Sequence, residues 1–264
     1  MSFSLQRESD RLRGAIRQVD WQTATVLLFA ALAVILQMNY GDRGFFRRDI
    51  ASLFTDEPTG LHGWIWWFGM QGVLGFLLPI AILRLGFRNS FSAMGLGAGD
   101  WRFSVRISLL YLPLVIVGTW FLSDSSAFKD NYPHYAPAAE DWSIFFLYEA
   151  FFLFYWIGWE YLWRGFVLFG TARTFGVMAI FVQTVPFALM HYEKPMPEAL
   201  LSIVGGVVLG ALVWRSRSFW IAVPIHAAQM MILDFWCSLR IRSGASGWGL
   251  DALSNVFRSL FQNP

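Results

Sequence analysis

Long apolar stretches alternate with short polar segments along most of the chain. A helix needs about 20 mainly apolar residues to cross the hydrocarbon core of a bilayer, and each stretch is near that length. The pattern predicts an all-α polytopic membrane bundle of about seven transmembrane helices. The predicted spans are 21–38, 63–83, 105–122, 142–164, 175–190, 199–214 and 219–236.

The same pattern predicts a single membrane domain, residues 21–236, after a polar N-terminal segment, residues 1–20. Residues 237–264 follow the last span. There a Gly- and Ser-containing linker at 238–247 precedes apolar positions at helical spacing in 248–262. This spacing predicts a short amphipathic helix at the membrane surface.

Helix breakers occur inside two of the predicted spans. Pro186 and the Gly205-Gly206 pair predict a broken or tilted helix, which membrane proteins tolerate where neighbouring helices or a wet cavity satisfy the backbone. Gly206 and Gly210 also form a GxxxG pattern, which is typical of closely packed helices.

The composition narrows the class of protein. The chain is 56% hydrophobic and only 14% charged, whereas soluble domains are about 25% charged. The net charge of +2 and the scattered arginines provide no basic stripe for nucleic acid. The single Cys237 excludes an intramolecular disulfide and a multi-cysteine metal site. We therefore expect the lipid bilayer as a partner, and no nucleic acid.

The positions of Lys and Arg predict the orientation, because short cytoplasmic loops carry more of these residues. The N-terminal segment contains four arginines and residues 84–106 contain another four, whereas 123–141 and 191–198 contain one lysine each. We therefore expect a cytoplasmic N-terminus. The arginines of residues 39–62 and of the C-terminal tail run against this pattern.

A Glu and an Arg lie inside the fourth predicted span. Glu160 and Arg164 are four residues apart, so they share a helix face in the favourable order for an ion pair. Ionisable groups at membrane depth are costly and mark functional sites, although a purely structural ion pair is the alternative. Glu149 lies on nearly the same stripe and is a secondary candidate.

Two histidines follow on later spans. His191 ends the fifth predicted span and His226 lies inside the last one. Glu198 and Asp234 are further secondary candidates, close to His191 and His226 in sequence. If Glu160, His191 and His226 converge, they can activate water and polarise a carbonyl.

The same three side chains provide a possible ligand set for a divalent metal such as zinc, because His₂Glu is a known catalytic zinc site. The residues alone do not separate this option from metal-free water activation. The zinc-binding HExxH pattern is absent from the sequence.

The order Glu160-x-x-x-Arg164, Phe187-x-x-x-His191, His226 resembles the CPBP family of intramembrane endopeptidases. This family includes the CAAX prenyl proteases and bacterial bacteriocin-processing and immunity proteins, with the pattern EExxxR, FxxxH and HxxxN. The resemblance covers about residues 142–234. It implies a catalytic core at 142–236, in which Glu160 and His191 activate water, Arg164 positions Glu160, and His226 stabilises the oxyanion.

Two positions depart from the family pattern. Trp159 stands where the family has the first Glu, and Met230 stands where it has Asn. The chain is therefore similar to a divergent bacterial branch with a WExxxRG motif, which implies a bacterial cytoplasmic membrane. Either Glu160 alone activates water, or Glu149 or Glu198 supplies a second carboxylate, or activity is lost.

The function that we expect is hydrolysis of a peptide bond in a membrane-associated or lipidated protein or peptide. A catalytically inactive membrane scaffold or immunity protein is one alternative, and a proton-coupled transporter is another. An aspartyl protease is disfavoured, because the GxGD sequence ending at Asp100 lies in a loop and lacks a Tyr-Asp partner.

Overall fold

The computed structural model describes residues 5–54, 60–194 and 196–262, and the regular elements in these ranges are all helical. This confirms the predicted all-α class. The main helices are α1 (Leu5–Arg17), α2 (Trp21–Asn39), α3 (Gly60–Gly86), α4 (Trp101–Leu122), α5 (142–175), α6 (Ala179–Leu189), α7 (Met196–Ser216), α8 (Ala222–Ser243) and α9 (Leu250–Gln262).

Six stretches of the described chain are helical, long and apolar enough to cross a membrane, one fewer than predicted. The difference arises at the predicted fourth and fifth spans, which form one helical stretch, Trp142–Leu189. Within it, α6 is 11 residues long, or about 16 Å at 1.5 Å per residue. It therefore reaches only about half of the hydrocarbon core.

Helix α5 is longer than the predicted fourth span. Asp141 caps its start by accepting from the backbone N–H of Ser143 and Ile144, a common way to satisfy the first turn. The helix continues through a π-helical segment, Tyr161–Val167, to Phe175. At Gly176 a positive φ of 55° turns the chain into α6, because glycine adopts this conformation without steric cost.

Polar contacts define the two ends of the bundle. At one end, Asp20 before α2 pairs with Arg173 near the end of α5. Asp100 before α4 pairs with Arg215 of α7 at 3.0 Å. At the other end, Arg240 of α8 donates to Ser123 after α4 at 2.8 Å. Because α4 runs from Asp100 to Ser123, the end of α7 and the end of α8 lie at opposite ends of the bundle.

The GxxxG glycines pack as predicted, but their helix is unbroken. Helix α7 runs continuously through Gly205 and Gly206. A Cβ on Gly206 would lie 2.9 Å from Thr184 Cγ2, and one on Gly210 would lie 2.8 Å from Gln183 Nε2. Of the predicted alternatives, a broken or a tilted helix, the break does not occur at this pair. The glycines instead allow α6 to approach α7 closely.

Both terminal regions contain more helix than their polar sequences indicated. The N-terminal segment forms α1, and α8 extends to Ser243, so most of the predicted 238–247 linker is helix. Arg240 is buried because its guanidinium lies over the Trp120 ring at 3.9 Å and bonds Ser123. The predicted C-terminal helix is confirmed as α9.

Candidate functional site

Glu160 and Arg164 form a buried ion pair in α5. Both side chains are fully buried, and Arg164 Nη1 lies 3.2 Å from Glu160 Oε1. The pair spans the start of the π-helical segment, a feature that often occurs at functional sites. Arg164 provides the positive charge that an ionised Glu160 needs in this apolar surrounding.

His226 of α8 binds the same carboxylate. Its Nδ1 lies 2.5 Å from Glu160 Oε1, and its side chain keeps 21% of its surface exposed. Because an ionised carboxylate only accepts hydrogen bonds, Nδ1 is the donor. The imidazole also packs against Trp156 of α5, with 4.3 Å between ring centroids. These contacts hold the ring and direct its Nε2 away from Glu160.

His191 lies just after α6, with its Nδ1 2.8 Å from the Phe187 carbonyl oxygen. Since a carbonyl oxygen only accepts, Nδ1 carries the hydrogen in the neutral ring and Nε2 carries the lone pair. The Phe187-x-x-x-His191 spacing thus corresponds to one helical turn, in which the backbone selects the tautomer.

Phe187 connects the four main candidates. The Arg164 guanidinium lies over its ring at 3.9 Å. The ring centroids of His191 and His226 lie 4.7 and 6.4 Å from the Phe187 centroid. The structure therefore brings Arg164, His191 and His226 against a single aromatic ring, and Glu160 bonds two of these three residues.

Aromatic residues complete the site, and sequence reasoning missed their role. Trp159 contacts both Phe187 and His191, with centroids 6.0 and 6.4 Å apart. Trp156 contacts His226. The sequence did show that Trp156 and Trp159 lie close to Glu160 on one helix. This closeness did not single them out as site residues, because runs of Trp and Phe are common in membrane helices. Met230 is half-buried and packs against the hydrophobic core.

Backbone contact between α3 and α5 places Trp159 and Glu160. A Cβ on Gly158 would lie 2.3 Å from the Gln71 carbonyl oxygen, so only glycine permits this approach. The residues that immediately follow Gly158 are thereby held against the rest of the core.

Of the secondary candidates, Glu149 and Asp234 pair with each other away from this group. Glu149 interacts with Asp234 of α8. It precedes Glu160 by eleven residues, which is about 16 Å along a helix. Glu198 lies in the first turn of α7, and its side chain is outside the described part of the structure. Glu149 is therefore not beside Glu160 as a second carboxylate, and the prediction for Glu198 stays a prediction.

The arrangement does not fit the predicted metal site. A catalytic zinc ion takes three protein ligands, but no three His, Cys, Asp or Glu side chains within the described ranges form such a cluster. Glu160 Oε1 is already bonded to Arg164 and His226 Nδ1. Glu160 Oε1 and His226 Nδ1 thus bond to each other and do not share an ion.

An apolar cavity of about 310 Å³ lies between α4, α5 and α8. Its walls include Leu112 and Leu153, together with Pro224, Ala227 and Ala228 of α8. These α8 residues immediately flank His226 in sequence. The cavity has the volume of a small ligand pocket.

Comparison with protein families places the site in a known context. Residues 141–232 match the family model described as type II CAAX prenyl endopeptidase Rce1-like. The matched segment contains Glu160, Arg164, His191 and His226, and it confirms the CPBP resemblance that the motifs indicated. Searches of curated proteins and of solved structures returned no match.

Proposed function

We propose, on the premise that residues 141–232 form a CPBP-type core, that this integral membrane protein is an intramembrane endopeptidase. It hydrolyses a peptide bond in a membrane-associated or lipidated protein or peptide. The observation that supports this function best is the buried Glu160, bonded to both Arg164 and His226, with His191 on the same Phe187 ring.

Glu160 is the proposed general base. Its Oε1 accepts from Arg164 and His226, whereas its Oε2 has no hydrogen-bond partner in the described part of the chain. In the proposed reaction, Oε2 takes a proton from a water molecule while the water oxygen attacks the scissile carbonyl carbon. The lone pair on His191 Nε2 accepts the second hydrogen of this water and orients it.

His226 is the proposed oxyanion partner. In its imidazolium form, Nδ1 donates to the Glu160 carboxylate and Nε2 donates to the oxyanion of the tetrahedral intermediate. When the C–N bond breaks, the proton held by Glu160 passes to the leaving amine nitrogen, which completes the hydrolysis and restores the carboxylate.

The surroundings of the site favour a substrate with an apolar portion. The four residues lie among helices long enough to span a membrane. Residues that line the apolar cavity precede and follow His226 in α8. A lipid chain or an apolar peptide segment would fill such a cavity with little desolvation cost. The prenyl group of a CAAX-type substrate is one such chain.

The test uses purified full-length protein in detergent with two internally quenched peptides, one farnesylated at its C-terminal Cys and one of the same sequence without the lipid. The protein termini in membranes of cells that express the wild type or Glu160→Ala are compared by mass spectrometry. We expect a wild-type cleavage product, in either assay, that Glu160→Ala abolishes. If both assays give identical results for the two proteins, the proposal is overturned.

A catalytically inactive scaffold is the second candidate. Trp159 and Met230 favour it, because they replace two polar residues of the family pattern. If the protein is a scaffold, Glu160→Ala, His191→Ala and His226→Ala leave its cellular phenotype unchanged. If it is an endopeptidase, each substitution abolishes processing of the substrate.

A further inference from the structure

A second pair of ionisable groups joins α5 to α8. Glu149 of α5 and Asp234 of α8 have 5% and 0% of their surface exposed, and their carboxyl groups interact with each other. None of the four carboxyl oxygens has a hydrogen bond of ordinary geometry within the described ranges. Both residues belong to helical stretches that are long and apolar enough to span a membrane.

This pair is separate from the proposed catalytic group. Glu149 precedes Glu160 by eleven residues and Asp234 follows His226 by eight, which are about 16 and 12 Å along the helices. Two polar layers therefore join the same two helices. Phe152 and Trp156, both buried, occupy the intervening turns of α5.

The two layers differ in how their charge is balanced. Glu160 has Arg164 at 3.2 Å. By contrast, the charged group that acts on Glu149 is Asp234, and the one that acts on Asp234 is Glu149. Asp234 in turn acts on Tyr148 and Cys237. The nearby cations act on Tyr148 or Cys237 and not on either carboxyl; they are Arg43, Lys129 and Arg240.

Two buried hydroxyl groups lie on the same helices as the pair. The Tyr148 hydroxyl interacts with Asp234. Ser238 follows Asp234 by one helical turn, which places both on one face of α8. Both hydroxyls are fully buried and have no hydrogen-bond partner in the described part of the chain. Hydroxyls can donate hydrogen bonds to a carboxylate, but they cannot neutralise two negative charges.

We propose that Glu149 and Asp234 share a bound proton at neutral pH and form an acid pair that hydrogen-bonds α5 to α8. Two ionised carboxylates in contact within an apolar interior repel each other and lose their hydration, so proton binding is the favourable way to remove charge. The protonated carboxyl donates to its partner, and Tyr148 and Ser238 supply the remaining hydrogen-bonding groups.

The shared proton has a mechanical consequence, which rests on the proposed function. The same two helices carry Glu160 and His226, and ionisation of both acids would separate the helices near Glu149 and Asp234. The acid pair therefore makes the hydrolytic site sensitive to proton binding in a second polar layer.

Infrared spectroscopy tests the proton directly, without requiring hydrolysis. Purified full-length protein in detergent is measured at neutral pH beside the double variant Glu149→Gln, Asp234→Asn. We expect a carbonyl-stretch band of a protonated carboxylic acid in the wild type, its loss in the double variant, and its retention in Glu160→Gln. Absence of the band from the wild type overturns the proposal.

Labelling with dicyclohexylcarbodiimide provides the site assignment, because this apolar reagent modifies protonated carboxyl groups. We expect label on Glu149 or Asp234 at neutral pH, and less label in strongly alkaline buffer, where both carboxyls ionise. Addition of NaCl, CaCl₂ or MgCl₂ should leave labelling unchanged. Protection by any of these salts would identify a bound metal cation in place of the proton and overturn the proposal.

Neither the infrared nor the labelling measurement requires the protein to cleave a peptide. Their outcome is therefore distinguishable from a failure of the proposed function.

Discussion

His226 Nδ1 lies 2.5 Å from Glu160 Oε1, although 66 residues separate the two in the chain. The contact joins α8 to the point where α5 becomes π-helical. It places an imidazole on the carboxylate oxygen that Arg164 also binds. The remaining oxygen and the imidazole Nε2 are thereby the groups left to act on a substrate.

Replacement of Glu160 by Gln is expected to abolish hydrolysis. The amide has nearly the same shape but cannot take a proton, and general-base catalysis typically contributes about 10² to 10⁴ in rate. The measurement is kcat for the farnesylated reporter peptide, or for whichever peptide the wild type cleaves. Glu140→Gln is the control, because Glu140 is exposed at the end of the bundle.

Glu160→Gln also leaves Arg164 without its partner, and breaking a buried pair typically costs about 3–5 kcal/mol. The double variant Glu160→Gln, Arg164→Met removes this unpaired charge and should regain thermal stability without regaining activity. Wild-type turnover in either variant would contradict the role of Glu160 as the general base.

His226→Ala is expected to lower kcat and leave KM nearly unchanged. Loss of one oxyanion donor typically costs about 10² to 10³ in kcat, and a group that acts only in the transition state affects kcat more than substrate binding. His62→Ala is the control, since His62 is exposed outside the site. An equal loss of kcat in His226→Ala and His62→Ala would show that His226 is not the oxyanion donor.

Phe187→Leu is expected to reduce kcat by loosening Arg164. The Phe187 ring lies 3.9 Å from the guanidinium, and a buried cation–π contact is worth about 2 kcal/mol. Steady-state kinetics measures the effect. Phe181→Leu on the same helix is the matched control, because its side chain is 48% exposed. Similar kinetics for the two variants would show that Phe187 has no positioning role.

Gly206→Ala is expected to destabilise the protein, whereas Gly205→Ala is not. A Cβ at 206 would meet Thr184 Cγ2 at 2.9 Å, but one at 205 meets nothing within 4 Å. At an open helical position, alanine is more favourable than glycine by about 0.5–1 kcal/mol. Thermal unfolding in detergent should therefore give a lower Tm for Gly206→Ala only, and the opposite order would contradict the packing of α6 on α7.

Asp20 is expected to stabilise the bundle at neutral pH. The Arg173 hydrogen bond holds the pKa of its carboxyl well below the ordinary range. A folded-state pKa below the unfolded value of about 3.9 stabilises the fold above that pH, and the effect is lost as the pH falls through the folded-state pKa.

Asp20→Asn keeps an N-cap side chain but loses the ion pair, whereas Asp20→Ala loses both. Loss of an N-cap typically costs about 1 kcal/mol. At neutral pH we expect the wild type to have the highest Tm, Asp20→Asn a lower one and Asp20→Ala the lowest. The gap between wild type and Asn should narrow only below about pH 4, where the unfolded carboxyl protonates. A gap that is independent of pH would exclude a role for the charge.

Several features could be predicted from the sequence, because they depend on local pattern. Apolar stretches of spanning length predicted the helical membrane fold, and the spacing of Gly206 and Gly210 predicted close packing. The helix is not broken at Gly205-Gly206, and the long C-terminal linker was predicted wrongly. Glycine and polar residues disfavour helix locally, but here contacts with α6 and with Trp120 and Ser123 outweigh that preference.

The sequence by itself determined which ionisable residues the membrane helices carry, because charge within an apolar stretch is visible in the order of residues. Only the tertiary structure decided how they pair. Glu149 and Glu160 lie on nearly the same stripe of one helix, yet Glu160 contacts Arg164 and His226, while Glu149 contacts Asp234. Helix spacing assigns a residue to a face, but the partner depends on which helix packs there and at what height.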